Sequence, residues 1–504
     1  MSVMSVMSTV SAASAARSPG SRTHHPPVPP ATMPQSPAHT PRCPRCLTVG
    51  FRAWVWAWVL VAALLAPLGG HAACVDDDQP EPAVAPLATA ATAVASAAPV
   101  SPRVHLQTLV RDALARSNAI GASRLLAEAA VQDVEEAKAS QQPQAQLFAA
   151  ISPALDSGAS KLGSTGGATL QARAGASIGQ TIYDGGRSDR VVDWRRQQAE
   201  SARLGLLSTH EQVTLTTASL AFERSRFRMQ SVIYGQNVRK MACLVEALQT
   251  IVNADKGRTS ELVQARKQLQ QAELQQVQSQ SQARAVEAKL RRIVGDGLPG
   301  TEGMSTLLLA VPELPAVLIA AERATDITQL DANAAALREV ARVVEAGNKP
   351  QLSWNVAGNA TAGFGTGNPH NTGMSAGLTL SIPLLNPSLQ YASQAARKRA
   401  EAATLQRAES LEQRRQRIVE VHEQAAAAFD RVRRTAQVLR DSDRLRNFTL
   451  QQWQQLGRRS LFDVIGAETD HYNLRVQYVN ALHDGQQMNA MLTSLGVGLS
   501  SWLQ

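Results

Sequence analysis

Two stretches of this chain, about 200 residues apart, follow one plan. An alternating apolar–polar segment runs into a Gly/Pro joint and then into a helical pattern of nearly seventy residues. In the first stretch Ser177-Ile178-Gly179-Gln180-Thr181-Ile182-Tyr183-Asp184 leads into Gly185-Gly186. In the second, Gly377-Leu378-Thr379-Leu380-Ser381-Ile382-Pro383-Leu384-Leu385 leads into Asn386-Pro387. The far ends also correspond: Lys256-Gly257-Arg258-Thr259-Ser260-Glu261-Leu262 answers Leu456-Gly457-Arg458-Arg459-Ser460-Leu461-Phe462. A unit that cannot bury its apolar face alone is stabilised by its neighbour, so the repeat implies a pseudo-symmetric body whose shape carries its function.

Composition argues against thick globular domains. Aromatic residues are 4% of the chain, while Ala, Gln, Arg and Leu fill long stretches, as in helices that pack on helices. Residues 1–73 read as a targeting signal. Ala53 to Leu68 form a short apolar core preceded by Arg42, Arg45 and Arg52, and Gly69-Gly70-His71-Ala72-Ala73 supplies the small residues of a cleavage site. The expectation is export, with cleavage near Ala72 or Ala73. Cys74 follows Ala72-Ala73 and is a candidate for lipidation. Cys43 and Cys46 fall in the discarded part, which leaves Cys74 and Cys243 and no disulfide framework to read. The leader also carries five arginines and no acid, so the net charge of +9 falls to about +4 and gives no case for nucleic acid. Residues 74–103, rich in Ala and Pro, read as a disordered tether.

A helical pattern from about 104 to 140 stops at Gln142-Pro143. Strands are expected at about 143–152 and 169–183, and again at about 350–358 and 371–385. On the clearest of them Leu170, Ala172, Ala174, Ala176 and Ile178 share one face, and Gln171, Arg173, Gly175, Ser177 and Gly179 the other. Leu352, Trp354 and Val356, then Met374, Ala376, Leu378, Leu380 and Ile382, repeat the alternation. Such segments suit a barrel wall with lipid outside and a wet lumen inside. Four strands cannot close a barrel, and lipid does not tolerate an open sheet edge. If they span a membrane, several chains must share one barrel, and a trimer gives twelve strands.

The long helical runs, about 186–253 and about 388–456, hold no internal proline and reach roughly 100 Å each. Shorter helices flank them at about 104–140 with 259–293, and about 326–346 with 459–495. Leu204, Leu207, Val213, Leu220, Phe227, Leu244, Leu248 and Ile251 supply apolar seams along the first. A segment broken by Gly297, Pro299, Gly300, Pro312 and Pro315 joins the copies and is expected to pack outside the helical body.

With these elements in this order, the chain resembles the TolC-like outer-membrane factor family over nearly all of residues 104–496. Its most recognisable stretch is Gln455-Leu456-Gly457-Arg458-Arg459-Ser460-Leu461-Phe462-Asp463-Val464-Ile465. The resemblance implies a mainly α fold with a membrane β-barrel portion: two repeats of long coiled-coil helices plus four strands. These trimerise into a twelve-stranded barrel continuous with a periplasmic α-helical tunnel. It divides the chain into a first repeat (104–295), a connector (296–325), a second repeat (326–496) and a C-terminal tail (497–504). The implied function is passive exit of small molecules or polypeptides, in tripartite efflux or type I secretion. The implied partners are a periplasmic adaptor and an inner-membrane pump or ABC transporter, with no cofactor. By position, Asp463 matches the family's constriction acid, Arg459 its locking arginine, and Ser260 and Glu261 that arginine's partners. Gly466 stands where some relatives carry a second acid. Gly185, Gly186, Asn386 and Pro387 mark the strand–helix joints.

Two other readings compete. A soluble periplasmic coiled-coil adaptor or scaffold explains the helices but leaves the strands unused. Gly175-Ala176-Ser177-Ile178-Gly179 matches the nucleophile elbow of serine hydrolases, which requires a strand, a sharp turn and a helix around Ser177.

Overall fold

The computed structural model describes residues 101–504, except 157–158, 161–162, 165–166, 365–369 and 457–458. The proposed leader, most of the tether and Cys74 therefore lie outside the described residues.

The helical pattern at 104–140 forms two helices rather than one, α1 (Pro102–Arg116) and α2 (Asn118–Ala139). Ser117 leaves the helical region at ψ 112°, and its hydroxyl accepts the Ile120 N–H at 3.4 Å, which ends one helix and caps the next. The first long helix, α3 (Arg187–Ala254), holds 68 residues, about 100 Å at ~1.5 Å per residue. A single turn of 3₁₀ helix, Lys256–Arg258, connects it to α4 (Thr259–Val294). A short α5 (Leu314–Ala321) follows the connector. The second copy has α6 (Thr325–Ala346), the 70-residue α7 (Pro387–Leu456) and α8 (Leu461–Leu495). α3 packs against α1, α2, α4, α6 and α8, whereas α7 packs against α5, α6 and α8.

The four long strands are β1 (Gln144–Asp156), β2 (Gly167–Tyr183), β3 (Gln351–Phe364) and β4 (His370–Ser381), antiparallel in the order β1-β2-β3-β4. A two-residue hairpin, Ala159–Ser160 with Gly163–Ser164, lies between β1 and β2. The two repeats meet at the central β2–β3 pair, so β1 and β4 are the sheet's edges. Register aligns the apolar stripes on one face. Leu147, Ala176, Gly358 and Met374 form one cross-strand row, and Ala145, Ile178, Val356 and Ala376 another. The opposite face carries Gln146, Ser177, Ala357 and Ser375 in one row and Ala150, Arg173, Thr361 and Asn371 in another. Phe148 falls on this polar face. Its ring lies over Gly175, where an added Cβ would come within 2.7 Å of it, so the glycine makes room for the aromatic. The fourth strand ends at Ser381, short of the expected 385, before Pro383, which has no N–H to give the ladder.

The connector docks into the helical body at Met304 and Leu307, which join a cluster with Leu106, Leu109, Phe222 and Leu290. Two fully buried amides of α8 hold its backbone: Gln486 donates to the carbonyls of Met304 and Leu307, at 2.9 and 2.7 Å, and Asn489 to those of Leu308 and Ala310, both at 2.7 Å. The expected tail is a short helix, α9 (Leu499–Leu503), whose Leu499 and Leu503 enter the same cluster. The Glu211 carboxylate accepts the first N–H groups of α9, which satisfies donors a helix start otherwise leaves orphaned. No described helix is long and apolar enough to cross a membrane.

Candidate functional site

Three regions hold the residues singled out by the sequence: the sheet, the joints that convert strand to helix, and the opposite helix ends. The sheet's apolar face is exposed in the single chain. Leu147 and Met374 are each 84% exposed, and Leu378 is 71% exposed. An apolar surface this continuous is a contact surface for lipid or protein. Ser177 sits in mid-strand, paired with Gln146 on one side and Ala357 on the other. The chain stays extended to Tyr183, so no sharp turn presents its hydroxyl in the way a nucleophile elbow requires.

The first joint needs its glycines. Gly185 and Gly186 adopt φ of 68° and 82°, the left-handed region where a side chain is strained. A Cβ on Gly185 would also lie 2.5 Å from Lys349 Cβ, and Lys349 Nζ donates to the Gly185 carbonyl at 3.0 Å. Asp184 then caps α3, accepting the N–H groups of Gly186, Arg187 and Ser188 at 3.0, 2.9 and 2.7 Å and the Ser188 hydroxyl. Burial pushes the Asp184 carboxyl up, but these hydrogen bonds outweigh it and hold the group below its usual value. The second joint uses different chemistry. Pro387 opens α7 with its φ already set for a helix, and Asn386 Oδ1 accepts the Ser388 hydroxyl at 2.6 Å.

At the far end the two turns come together. Met241, Leu244, Leu248 and Val252 of α3 and Leu262 and Ala265 of α4 share one apolar cluster with Leu461, Val464 and Ile465 of α8. Ser260 and Glu261 open α4, and Arg459, Ser460 and Asp463 lie at the start of α8. Asp463 forms a reciprocal capping box with Ser460. The Ser460 hydroxyl accepts the Asp463 N–H at 3.4 Å, and the Asp463 carboxylate accepts the Ser460 N–H at 3.3 Å. The Arg459 guanidinium lies 3.9 Å from Asp463 and donates to Gln452 at 3.1 Å. Its partners among the described residues are these two, not Ser260 or Glu261. One Glu261 carboxylate oxygen is buried with no hydrogen-bond partner among the described residues. Gly466 has open space around it, with nothing within 4 Å of a would-be Cβ.

Sequence reasoning missed a charged cluster a few turns above the tip. Glu468 of α8, 1% exposed, stands between Lys240 of α3 at 3.8 Å and Arg446 of α7 at 3.6 Å. Arg446 also bonds Asp443 at 2.9 Å. Charges on long helices read as solvated faces unless the partner helix and its register are known, and only the fold supplies those.

Known proteins share this geometry. Residues 109–296 match the family described as outer membrane efflux protein. No curated protein sequence matches the chain. Among solved structures, the fold is similar to CusC, at TM-score 0.69 and 15% identity, covering 80% of this chain and 95% of that one. The outer membrane protein VceC of Vibrio cholerae gives TM-score 0.66 at 17% identity, covering 78% of this chain and 96% of that one. The open-state MtrE outer membrane channel of Neisseria gonorrhoeae gives 0.64 at 14% identity, covering 81% and 94%. Residues 109–296 thus carry the sequence pattern of the outer membrane efflux protein family, and about four-fifths of the chain shares the fold of these solved outer-membrane proteins.

Proposed function

We propose that three copies of this chain form a passive exit duct: a twelve-stranded barrel in the outer membrane, continuous with a helical tunnel in the periplasm. A periplasmic adaptor and an inner-membrane pump or ABC transporter supply the energy and deliver small molecules or polypeptides. The observation that carries this reading is the four-stranded sheet. It exposes an apolar face on one side, a polar face on the other, and two edges, β1 and β4, that pair with no other strand among the described residues. In lipid such edges must be paired, and further copies of the same sheet pair them. The leader in residues 1–73 directs export.

The helix ends act as the gate in this reading. Three symmetry-related Asp463 carboxylates ring the tunnel and attract cations. Arg459 and Glu261, with Ser260 beside it, form a lock between neighbouring coils. The Glu261 oxygen left without a partner and the half-exposed Arg459 support that pairing across copies.

The test is membrane fractionation followed by detergent extraction, crosslinking and planar-bilayer recording of the full chain. The proposal expects outer-membrane recovery, a trimer and ion conductance. Recovery from the soluble periplasm as a non-conducting species would favour the adaptor or scaffold instead.

A further inference from the structure

Cross-strand register places Arg173 of β2 on the sheet's polar face, in the row with Ala150, Thr361 and Asn371. The side chain is exposed, and its Nη2 donates to Gln171 Oε1 on the same strand at 3.0 Å. We propose that three Arg173 guanidinium groups form an anion-attracting ring inside the barrel. The ring favours passage of solutes bearing carboxylate, sulfate or phosphate groups and opposes entry of cations from outside. This rests on the trimeric barrel reading, since each chain supplies one of the three cations.

The charge of the ring is not cancelled locally. The four long strands hold one arginine or lysine, Arg173, and one acid, Asp156. Asp156 pairs with Gly167 at the end of the sheet, six ladder positions from Arg173 and ~20 Å along the strand at ~3.3 Å per residue. His370 opens β4 in register with Ala362, on the apolar face. Gln171, the hydrogen-bond partner, is neutral, and Arg173 has no acidic partner among the described residues. The cross-strand neighbours Ala150 and Thr361 are too short to cover the guanidinium.

The field of such a ring reaches the middle of the pore. A twelve-stranded wall with strands ~4.8 Å apart and tilted ~40° has a backbone radius of about 12 Å. The long arginine side chain carries its charge inward from that wall, to within about one Debye length of the axis, ~10 Å at 0.1 M salt. At 1 M salt the Debye length falls to ~3 Å and the field collapses onto the wall. An arginine facing lipid in a barrel costs stability, whereas one facing the lumen tunes selectivity. Arg173 stands six residues after Gly167, at the end of β2 away from the helices, and ten before Tyr183, where β2 meets the joint. The length of α3, about 100 Å, separates that joint from the Asp463 turn. Two rings of opposite sign therefore act in series, each met first by ions from its own side.

The experiment records the full chain in planar bilayers, with hexacyanoferrate(II) added to the compartment facing the barrel's outer end. In 0.1 M KCl the parent is expected to be blocked from that side, and in 1 M KCl the block is expected to disappear. Arg173→Gln is expected to raise the half-blocking concentration at least about threefold and to shift the reversal potential in a KCl gradient toward potassium preference. Arg173→Glu is expected to extend that shift, and Arg173→Lys, which keeps the charge, to retain the block. Should Arg173→Gln fail to assemble, Arg173→Thr, matching the neighbouring Thr361, replaces it as the neutral variant. A conducting parent that hexacyanoferrate(II) does not block, or equal block in the parent and a neutral variant, overturns the ring and leaves the channel reading standing. A parent that forms neither a trimer nor a conducting pore overturns the channel reading and the ring with it.

Discussion

The two long helices descend from one repeated unit yet occupy different surroundings. α3 is enclosed by α1, α2, α4, α6 and α8 and buries Phe222, Met241, Leu244 and Leu248 almost completely. α7 leaves Leu405 and Phe448 at 71% and 61% exposure along an uncovered flank of the single chain. One copy of the repeat builds the protomer's own interior, and the other presents a face for something else to cover. Equal sequence patterns therefore do not imply equal burial: position within the chain decides which apolar stripe is core and which is interface.

The sharpest way to break that contrast is to replace one aromatic on each helix. Phe222→Ala is expected to lose about 3–5 kcal/mol of unfolding free energy, measured by denaturant titration, because it opens a cavity in the largest cluster. Phe448→Glu is expected to leave the circular dichroism spectrum and unfolding midpoint of the isolated chain unchanged while lowering the crosslinked trimer fraction. Equal destabilisation by both would erase the distinction.

A comparable loss, about 3–5 kcal/mol, is expected for Glu468→Ala, which leaves the cations of Lys240 and Arg446 in the interior without their shared acid. Asp430→Ala on the exposed flank of α7, where Arg433 and Arg434 remain solvated, is expected to change the unfolding midpoint little.

Acid sharpens the contrast further. Burial pushes His483 of α8 down to about 4, with the neighbouring Arg226 of α3 adding to the effect and the Val479 carbonyl opposing it. The unfolded chain, with an ordinary histidine near 6.5, binds the proton first, so His483 lowers stability progressively as pH falls from about 6.5 to about 4. Each tenfold change in proton affinity is worth ~1.4 kcal/mol, so the full loss is about 3 kcal/mol. His483→Gln should flatten the pH dependence of the unfolding midpoint across that interval, and an unchanged slope would assign the acid sensitivity elsewhere.

The smallest energies and the clearest electrical readout belong to the helix ends. Arg459 and Asp463 are each about half exposed, so their pairing contributes at most about 1 kcal/mol. Replacing Arg459 and Glu261 together by Ala should raise single-channel conductance, and unchanged conductance would reject the lock. Asp463→Ala should weaken block by multivalent cations added at the tip side, and Gly466→Asp, whose side chain has open space to enter, should strengthen it. Equal block in the parent and both variants would remove this turn from the constriction.

Much of the fold could be read from the residues because its determinants are local. Alternation at Leu170 to Ile178, the proline-free runs that became α3 and α7, and the Gly185-Gly186 joint each carry their structure in neighbouring positions. What could not be read depends on partners far along the chain, or on a single polar residue in an otherwise periodic run. The break at Ser117 looked like a continuing helix, but its cap to Ile120 ends the pattern. The last residues looked like a tail because the cluster that receives Leu499 is built from Leu106, Phe222 and Leu290. At the candidate site the sequence indicated where Arg459 and Asp463 sit, but not that Asp463 caps its own helix or that Glu468 lies between two buried cations.

The central β2–β3 pairing has a consequence for how a ring of such chains grows. Because each copy carries its unsatisfied edges at the two outside strands, adding a second or third copy leaves an open row with as many dangling edges as before. Only the final contact, which joins the first copy to the last, removes both at once. On the proposed assembly, closure is therefore the step that rewards membership, and incomplete rings gain little by persisting.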